Sequence, residues 1–328
     1  MKIGSTCYAT SRGLGHLARD FFNHGLVTHP YVVCHSRVPE NTDWYPGAPR
    51  TRDINGDKEK ICQYFKGMDA LLFFETPFNW SLMDWAAEQG IRTYLITMYE
   101  CTPISHRKPY RYICPSALDM EYFPTDSVYL PLPVEYPWRR RCHAEHFVHN
   151  GGYLGLRGRE GTTLLIEAME YVKSPIKLTI RVQENVGDIH RRKIGNDKRI
   201  TYIAETVPYE TLYATGDVVV QPQKFNGCSL PLQEALASGM VVMSTDRFPM
   251  NTWLPKEPLI PVAAYGKARI GGAYMEFDEA HIKPEDIATT IDAWHGKDIT
   301  ALSEYGRQWA KQMTWEVLGP KYREVLSN

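Results

Sequence analysis

Short apolar runs alternate with amphipathic stretches along most of this chain. Apolar runs of about four to eight residues, bounded by glycine or polar turns, are typical of buried strands. We predict strands over residues 1–8, 31–35, 70–74, 93–97, 147–151, 176–183, 200–203, 218–221 and 240–244. Stretches in which apolar residues recur with a helical period predict helices over residues 14–24, 58–65, 80–89, 161–171, 208–214, 230–238, 284–294, 299–313 and 317–326.

Two such alternating series are separated by a proline-rich stretch, residues 114–138, which we expect to be extended and non-helical because proline restricts its neighbours. Strands that alternate with helices indicate parallel, doubly wound sheets. We therefore predict an α/β protein with two doubly wound, Rossmann-like domains that face a cleft. The N-terminal domain is predicted over residues 1–138 and the C-terminal domain over residues 139–310. Residues 311–328 are predicted to form a helix that returns toward the N-terminal domain.

The composition fits this organisation. The chain has 328 residues, of which 43% are hydrophobic and 23% are charged, as in ordinary globular proteins. The formal net charge of −1 does not make the whole molecule a polycation. Seven scattered cysteines, a first strand without a preceding leader and the lack of an apolar run near about 18 residues lead us to expect a cytoplasmic protein with reduced thiols.

The segment 226–239 follows a predicted buried strand and opens a predicted helix. A turn of this kind presents the backbone N–H groups of Cys228, Ser229 and Leu230 at a helix N-terminus, where they suit a phosphate. Glu234, one helical turn further along, is placed to accept hydrogen bonds from a ribose. An ordinary strand-turn-helix connection has the same pattern, so both interpretations stay open on the physics alone.

The residues from Leu230 onward, Leu-Pro-Leu-Gln-Glu-Ala-Leu-Ala-Ser-Gly-Met-Val-Val, resemble the donor-binding segment of retaining GT-B glycosyltransferases of the GT4 type. That segment is commonly written E-G-F-G-L-P-x-x-E-A-x-A-x-G-x-P-V. Residues 207–222 and 147–158 resemble the family's elements that lead into it and that open its C-terminal domain. The resemblance covers residues 145–245 closely and residues 1–140 in outline. It implies a GT-B fold and an enzyme that transfers a sugar from a UDP-sugar to an acceptor hydroxyl with retention of configuration.

The resemblance also assigns roles on the donor side. The family has two glutamates separated by seven residues, the first of which touches the donor sugar and the second the ribose. Glu234 occupies the second position, but the first is held by Asn226, with Gly227 after it. Asparagine can hydrogen-bond to sugar hydroxyls but carries no negative charge. We treat Asn226 as a candidate catalytic residue, and Gly227 with the amides of residues 228–230 as donor-binding.

Three arginines are candidates for the diphosphate. The family has a basic residue before a glycine in the first loop of the C-terminal domain, a place that Arg157 occupies here, with Arg159 close by. Arg181, at the end of a predicted strand, is the third. Arginine makes bidentate, charge-assisted contacts with phosphate oxygens. A solvated surface arginine is the alternative for each.

The N-terminal domain supplies weaker signals. The resemblance implies that the loop holding Gly13, Gly15 and His16 faces the donor. His16 could equally be a histidine at a helix start whose hydrogen bonds are made within the protein. Glu75 ends one predicted strand and Glu100 follows another. Because strand carboxyl ends line the ligand crevice of open α/β sheets, either carboxylate could orient or deprotonate an acceptor hydroxyl. His16, Glu75 and Glu100 are therefore further catalytic candidates.

No cofactor or metal is expected. Cys142, His143, His146 and His149 invite a zinc interpretation, but the spacing would point side chains apart along a strand. The resemblance implies a front-face attack in which the leaving diphosphate helps to deprotonate the acceptor. The protein would then act by positioning and by stabilising the diphosphate charge.

The acceptor is not fixed by the sequence. Short basic clusters at residues 106–108, 139–141 and 191–193 would suit an anionic acceptor, such as DNA with hydroxymethylated bases, or would simply be solvated. Small-molecule and protein acceptors are not excluded, and we expect a monomer or a homodimer. Two rival functions stay open: a non-catalytic nucleotide-sugar binder, suggested by Asn226, and an epimerase or hydrolase on the same fold.

Overall fold

The computed structural model describes residues 1–36, 38–153, 158–183, 188–269 and 276–328. The chain divides into two compact units. Unit 1 comprises Met1–Pro133 and Trp315–Asn328, and unit 2 comprises the described residues of 134–269 and 276–314. No helix in the described ranges is long and apolar enough to cross a lipid bilayer.

Strands and helices alternate in both units. In chain order, strands β1 to β14 are Ile3–Cys7, His29–Val33, Arg50–Thr51, Ala70–Phe74, Arg92–Ile96, Arg111–Cys114, Ser127–Tyr129, His146–Gly152, Lys177–Val182, Ile200–Ala204, Val218–Gln221, Val241–Ser244, Ala264–Arg269 and Glu276–His281. Helices α1 to α10 are Gly13–Asn23, Lys58–Phe65, Ser81–Glu88, Ala117–Tyr122, Thr162–Ala168, Asp188–Ile194, Leu230–Ala237, Pro284–Trp294, Thr300–Ala310 and Trp315–Ser327. Short 3-10 helices lie at Tyr209–Thr211 and Met250–Thr252.

Unit 1 is built on a parallel sheet in the order β3-β2-β1-β4-β5-β6-β7. Every residue of β4 is buried, as expected for a central strand that helices cover on both faces. The last helix, α10, belongs to this core. The ring of Phe21 in α1 lies 4.9 Å from the rings of Trp315 and Tyr322, and the Tyr322 hydroxyl donates to the Pro131 carbonyl at 3.1 Å.

Unit 2 is built on a second parallel sheet in the order β10-β9-β8-β11-β12. Side chains of β11 alternate between its two faces, as the strand period requires. Val218 and Val220 pack in one apolar cluster with residues of α5 and α8, whereas Val219 packs in another with residues of α7. Both units are therefore doubly wound, and the predicted fold class is confirmed.

The proline-rich stretch contains one helix that the sequence pattern does not predict. Residues 117–122 form α4 inside the stretch expected to be non-helical, so that expectation is wrong there. The Ser116 hydroxyl caps this helix by accepting a hydrogen bond from the Asp119 amide at 3.1 Å. The helix fits between Pro115 and Pro124, because proline restricts only its immediate surroundings.

Further differences lie in unit 2, where helix α6 is also not predicted. The predicted helix at residues 208–214 is only a short 3-10 helix, Tyr209–Thr211. The antiparallel pair of β13 and β14 is not predicted either. Its strands mix charged and apolar residues and lie outside the alternating βα series, so the pattern of buried parallel strands does not apply to them.

Candidate functional site

The strand order of unit 2 reverses between β8 and β11, the place at which open α/β sheets bind ligands. Gly161, just before α5, holds the loops after these strands together. Its φ is +79°, and a Cβ would lie 2.2 Å from the Pro222 carbonyl oxygen. The Lys224 amide also donates to the Arg159 carbonyl at 2.8 Å. Only glycine permits this approach, so residues 158–161 lie directly against residues 222–224.

The turn that follows β11 is held by its own side chains. The Asn226 Oδ1 accepts from the Ser229 amide at 2.7 Å, and the Ser229 Oγ accepts from Gln223 Nε2 at 2.8 Å. Gln233 Nε2 donates to the Cys228 carbonyl at 2.6 Å. The sequence predicts that the Ser229 amide faces a phosphate, but in the structure this amide is bound to Asn226.

The start of α7 keeps part of the predicted anion-binding character. Leu230 is its first residue, so the Leu230 amide has no acceptor in a preceding helical turn. Pro231 follows it, a residue preorganised for a first helical turn but without an N–H group. Gly227 is buried within the turn. The donors that the turn offers an anion are thus fewer than the sequence suggests.

Glu234 is the centre of the most specific geometry. Its two carboxylate oxygens accept hydrogen bonds from the hydroxyls of Tyr209 at 2.7 Å and Tyr213 at 3.0 Å. Burial, and then the neighbouring carboxylate of Glu234, raises the pKa of Tyr213 well above its ordinary value, so this hydroxyl stays a donor. Each carboxylate oxygen can accept more than one hydrogen bond. The arrangement suits a vicinal diol.

Sequence reasoning does not identify the two tyrosines as site residues. They are four positions apart in the predicted helix at residues 208–214, which puts them on one face. That spacing is the available signal, but it does not say what the face meets. Glu234 lies 25 positions from Tyr209 and 21 from Tyr213, so the contact depends on the fold.

The three candidate arginines differ. The Arg181 guanidinium donates to Asn150 Oδ1 at 3.3 Å and to the Leu212 carbonyl at 3.1 Å, and burial lowers its pKa. It is therefore engaged within the protein. Arg159 is half-buried in the loop tied to Lys224. Arg157 lies outside the described residues.

The histidines of β8 make hydrogen bonds to neighbouring elements of unit 2. His149 is fully buried, with Nδ1 2.8 Å from the Val220 carbonyl and Nε2 2.7 Å from the Thr162 hydroxyl. Burial lowers its pKa to about 4. His146 lies 2.8 Å from the Thr179 hydroxyl. In the part of the chain that the structure describes, no three His, Cys, Asp or Glu residues are grouped to hold a metal ion.

In unit 1 the strand order reverses between β1 and β4, and the loop after β1 leads into α1, whose first turn holds Gly13 and Gly15. A Cβ at Gly15 would lie 2.0 Å from the Thr10 carbonyl oxygen, whereas no atom lies within 4 Å of the position that a Cβ at Gly13 would take. Packing therefore requires glycine at position 15 but not at position 13. His16 is half-buried, with its ring 5.0 Å from that of Trp44.

The turn after β4 contains strained backbone. Glu75 and Phe78 both have φ near +60°, a conformation that non-glycine residues rarely adopt and that clusters at functional sites. The Phe78 ring lies 4.5 Å from that of Tyr8, which is 5.3 Å from the ring of His35. The sequence identifies Glu75 alone of these four. The others come from three different strand ends, which only the sheet order brings together.

Glu100 is placed differently from Glu75. It is completely buried, close enough to Asp119 for its charge to help raise the pKa of that carboxyl. Burial is the main cause, and the pKa of Asp119 reaches about 7, although hydrogen bonds from Ser116 and from the Tyr99 amide oppose the rise. Contact between Glu100 and an acceptor would require this region to open.

Solved structures with the same architecture are known. HepE from Anabaena, in complex with UDP and glucose, matches 100% of this chain and 99% of its own at 11% identity and a TM-score of 0.70. A glycosyltransferase from Rickettsia africae matches 99% of this chain and 97% of its own, at 11% identity and a TM-score of 0.64. Sucrose-phosphate synthase from Thermosynechococcus elongatus matches 100% of this chain and 99% of its own, at 14% identity and a TM-score of 0.64.

These neighbours are GT-B glycosyltransferases. At such low identity the similarity establishes the fold, and it extends over the full chain. No protein-family model matches the sequence, and no curated protein matches it by sequence comparison. The expected GT-B fold, with two Rossmann-like domains, is therefore confirmed.

Proposed function

We propose that this chain, which has the GT-B fold, is a glycosyltransferase that transfers a sugar from a UDP-sugar to an acceptor hydroxyl with retention of configuration. The observation that carries the proposal is the placement of Glu234, one turn into α7 and held by two tyrosine hydroxyls. The structure of HepE, which matches the chain over its full length, was obtained with UDP and glucose. That similarity supports a nucleotide-sugar donor.

In this proposal unit 2 binds the nucleotide half of the donor. The Glu234 carboxylate accepts hydrogen bonds from the two ribose hydroxyls, while the Tyr209 and Tyr213 hydroxyls fix its orientation. The positive end of α7 and the Leu230 amide face the diphosphate, where they stabilise the charge that develops as the sugar leaves. Arg157 and Arg159 stay the proposed basic partners of the diphosphate.

Asn226 acts on the transferred sugar. Its Oδ1 is committed to the Ser229 amide, so the amide nitrogen is the group that can reach a sugar hydroxyl as a donor. A neutral donor supplies no nucleophile for a covalent intermediate. Retention then follows from a front-face attack, in which positioning and diphosphate stabilisation do most of the catalysis.

We assign the acceptor to unit 1, where Glu75 and the strained turn after β4 lie at the strand ends. Hydroxymethylated bases in DNA are the first acceptor class to test, because Arg139, Arg140 and Arg191 are exposed. The basic clusters are partly engaged, however: Arg141 donates to the Tyr213 carbonyl at 2.9 Å and is buried. All seven cysteines carry free thiols, in keeping with the cytoplasmic setting that forms part of the proposal.

The test is calorimetric titration with UDP, ADP and GDP, followed by a transfer assay with a UDP-sugar and hydroxymethylated DNA. We expect UDP to bind and sugar to appear on the acceptor, with DNA affinity that falls steeply as salt rises. Free sugar or an epimer from donor alone would instead indicate a hydrolase or epimerase. UDP-sugar binding without turnover on DNA, small-molecule and protein acceptors would indicate the non-catalytic binder that Asn226 suggests. No binding of any nucleotide would refute the proposal.

A further inference from the structure

A buried arginine with unpaired donors lies at the carboxyl end of β12. Arg247 is only 4% exposed. Its Nη2 donates to the Asp278 carbonyl at 3.3 Å, but among the described residues neither Nε nor Nη1 has a hydrogen-bond partner. A buried charge that lacks a partner is strongly unfavourable. The free protein therefore holds a cationic group whose hydrogen-bonding capacity is unused.

The acidic side chains of β14 form ion pairs with lysines and not with Arg247. On β14, which the guanidinium touches, Asp278 pairs with Lys267 at 2.7 Å and Glu279 pairs with Lys224 at 3.8 Å. Within the described part of the chain Arg247 takes part in no ion pair of its own.

Backbone pairing places this charge beside the donor-binding turn. The Ala280 amide donates to the Lys224 carbonyl at 2.8 Å, and the Asp278 carbonyl accepts from Arg247. Residues two apart on a strand direct their backbone groups to the same edge, about 7 Å from each other. The guanidinium therefore lies along the edge of β14 that meets the segment leading to Asn226.

Other buried polar atoms near the same strand ends also have no partner. They are Gln223 Oε1, two residues beyond β11, and Thr245 Oγ1, directly after β12. Both residues are almost fully buried. Buried polar atoms in native proteins are nearly always hydrogen-bonded. An acceptor, a hydroxyl and a cation left without partners together suit a ligand that carries hydroxyls and a negative charge.

We propose that the transferred sugar carries a carboxylate, as a hexuronic acid does, and that Arg247 recognises it. This inference rests on the proposed function, since it names the sugar that the donor carries. Arginine pairs with a carboxylate through two parallel hydrogen bonds, and Nε and Nη1 are the two donors available. Asn226 contributes an amide and no charge, so it does not repel an anionic sugar as a carboxylate would. Nε and Nη1 are closed to solvent in the free chain, so in this proposal the Arg247 side chain turns toward the sugar when the UDP-sugar binds.

The experiment compares donors that differ only at the sugar C6. Calorimetry measures the affinity of the full chain for UDP, UDP-glucose and UDP-glucuronate, and for UDP-galactose and UDP-galacturonate in case the C4 configuration decides binding. We expect one uronate to bind at least about tenfold more tightly than its neutral partner, which corresponds to one Arg–carboxylate interaction of modest strength. Arg247→Met removes the charge at similar length and should abolish this preference while UDP binds as before. Arg269→Met, on the exposed hairpin strand β13, is the matched control and should keep it.

Each outcome decides between the claims. Equal binding in both pairs, or a preference for the neutral sugars in the unmodified chain, overturns the inference whether or not the Arg247 variant folds. If UDP still binds in that case, the proposed function stands. A preference for the uronate that survives Arg247→Met, in a variant whose thermal unfolding is cooperative, overturns the role of Arg247. Failure of every nucleotide to bind counts against the proposed function itself.

Discussion

The strand ends of the two units are built in different ways. In unit 2, the turn after β11 is a network in which side chains hold the backbone: Asn226 binds the Ser229 amide and two tyrosines hold Glu234. In unit 1, the turn after β4 instead contains strained backbone at Glu75 and Phe78. A preorganised network suits the constant part of a donor, the nucleotide. Strained, partly exposed residues are typical of functional sites on loops, which is in keeping with the acceptor that we assign to unit 1.

The two units also bury different titratable groups. Unit 1 encloses Asp119, whose pKa burial raises to about 7, and unit 2 encloses His149, whose pKa burial lowers to about 4. The same physical cause, which disfavours the charged form, acts in opposite directions on an acid and on a base. The contributions of Asp119 and His149 to stability should therefore respond to pH with opposite sign.

The largest effect is expected at Glu234, on the unit 2 side of the comparison. Glu234→Ala removes an acceptor for two ribose hydroxyls, and each charge-assisted hydrogen bond contributes about 1.5–3 kcal/mol. We expect the affinity for UDP, measured by calorimetry, to fall by about 10²–10⁴-fold. Glu210→Ala, which removes an exposed carboxylate from the adjacent 3-10 helix, is the control and should bind UDP normally. Unchanged UDP affinity in the Glu234 variant would show that Glu234 does not bind the ribose.

The next effect concerns the close backbone approaches in each unit. Gly161→Ala places a Cβ 2.2 Å from the Pro222 oxygen at positive φ, and we expect the unfolding free energy to fall by about 2–4 kcal/mol. Gly152→Ala also has positive φ but open space around the Cβ, so about 1–2 kcal/mol should be lost.

The matched pair in unit 1 is Gly15→Ala, expected to lose about 1–3 kcal/mol because its Cβ meets the Thr10 oxygen, and Gly13→Ala, expected to be nearly neutral. Urea unfolding measures all four variants. Equal losses within either pair would show that the close approach does not constrain the loop.

His149 in unit 2 and Asp119 in unit 1 should make the unfolding free energy depend on pH in opposite directions. In the unfolded chain His149 takes up a proton below about pH 6.5, but in the folded chain only below about pH 4. The unfolding free energy therefore decreases as pH falls between these values, by about 1.4 kcal/mol per pH unit from this group. Asp119 holds its proton up to about pH 7 when folded but only to about 3.8 when unfolded, so its contribution decreases as pH rises through that range.

Two variants separate these contributions. Between pH 4.5 and 6.5, the unfolding free energy of the Asp119→Asn variant should rise more steeply with pH than that of the unmodified chain. The unfolding free energy of the His149→Gln variant should rise less steeply with pH, or should fall. Urea unfolding at three pH values gives both slopes. If the slopes change in the same direction in the two variants, the opposite burial of acid and base is not what sets the pH response.

The smallest effect is expected at the strained turn of unit 1. Asparagine tolerates the left-handed conformation better than glutamate does, so Glu75→Asn should raise the unfolding free energy by a few tenths of a kcal/mol, up to about 0.5. The sugar-transfer rate should fall at the same time if the carboxylate orients the acceptor. A more stable variant with an unchanged rate would make the turn structural only.

Much of the fold could be predicted because it rests on local patterns. The apolar run Ala70–Phe74 and the periodic stretch Lys58–Phe65 are observed with the predicted limits. Helix α4 is not predicted, because nearby prolines outweigh a single capping serine in the sequence pattern. The pairing of β13 with β14 depends on contacts that no short-range period shows.

The candidate site divides in the same way. Glu234 and Asn226 could be found because one continuous segment carries them. The tyrosines that hold Glu234 contact it across more than twenty positions, and Arg247 contacts a carbonyl 31 positions away. Their roles depend on sheet order and strand edges, so the sequence alone does not reveal them. The resemblance points to a glutamate at position 226, but it does not show that the asparagine there binds its own turn.

Hydrogen–deuterium exchange with and without saturating UDP tests the central claim most directly, because it compares the two units in one experiment. We expect slower exchange in the amides of residues 227–237 and 209–213 of unit 2, and little change in residues 8–16 and 75–80 of unit 1. Slower exchange confined to the strand ends of unit 1, with unit 2 unaffected, would contradict the assignment of the nucleotide to Glu234 and α7.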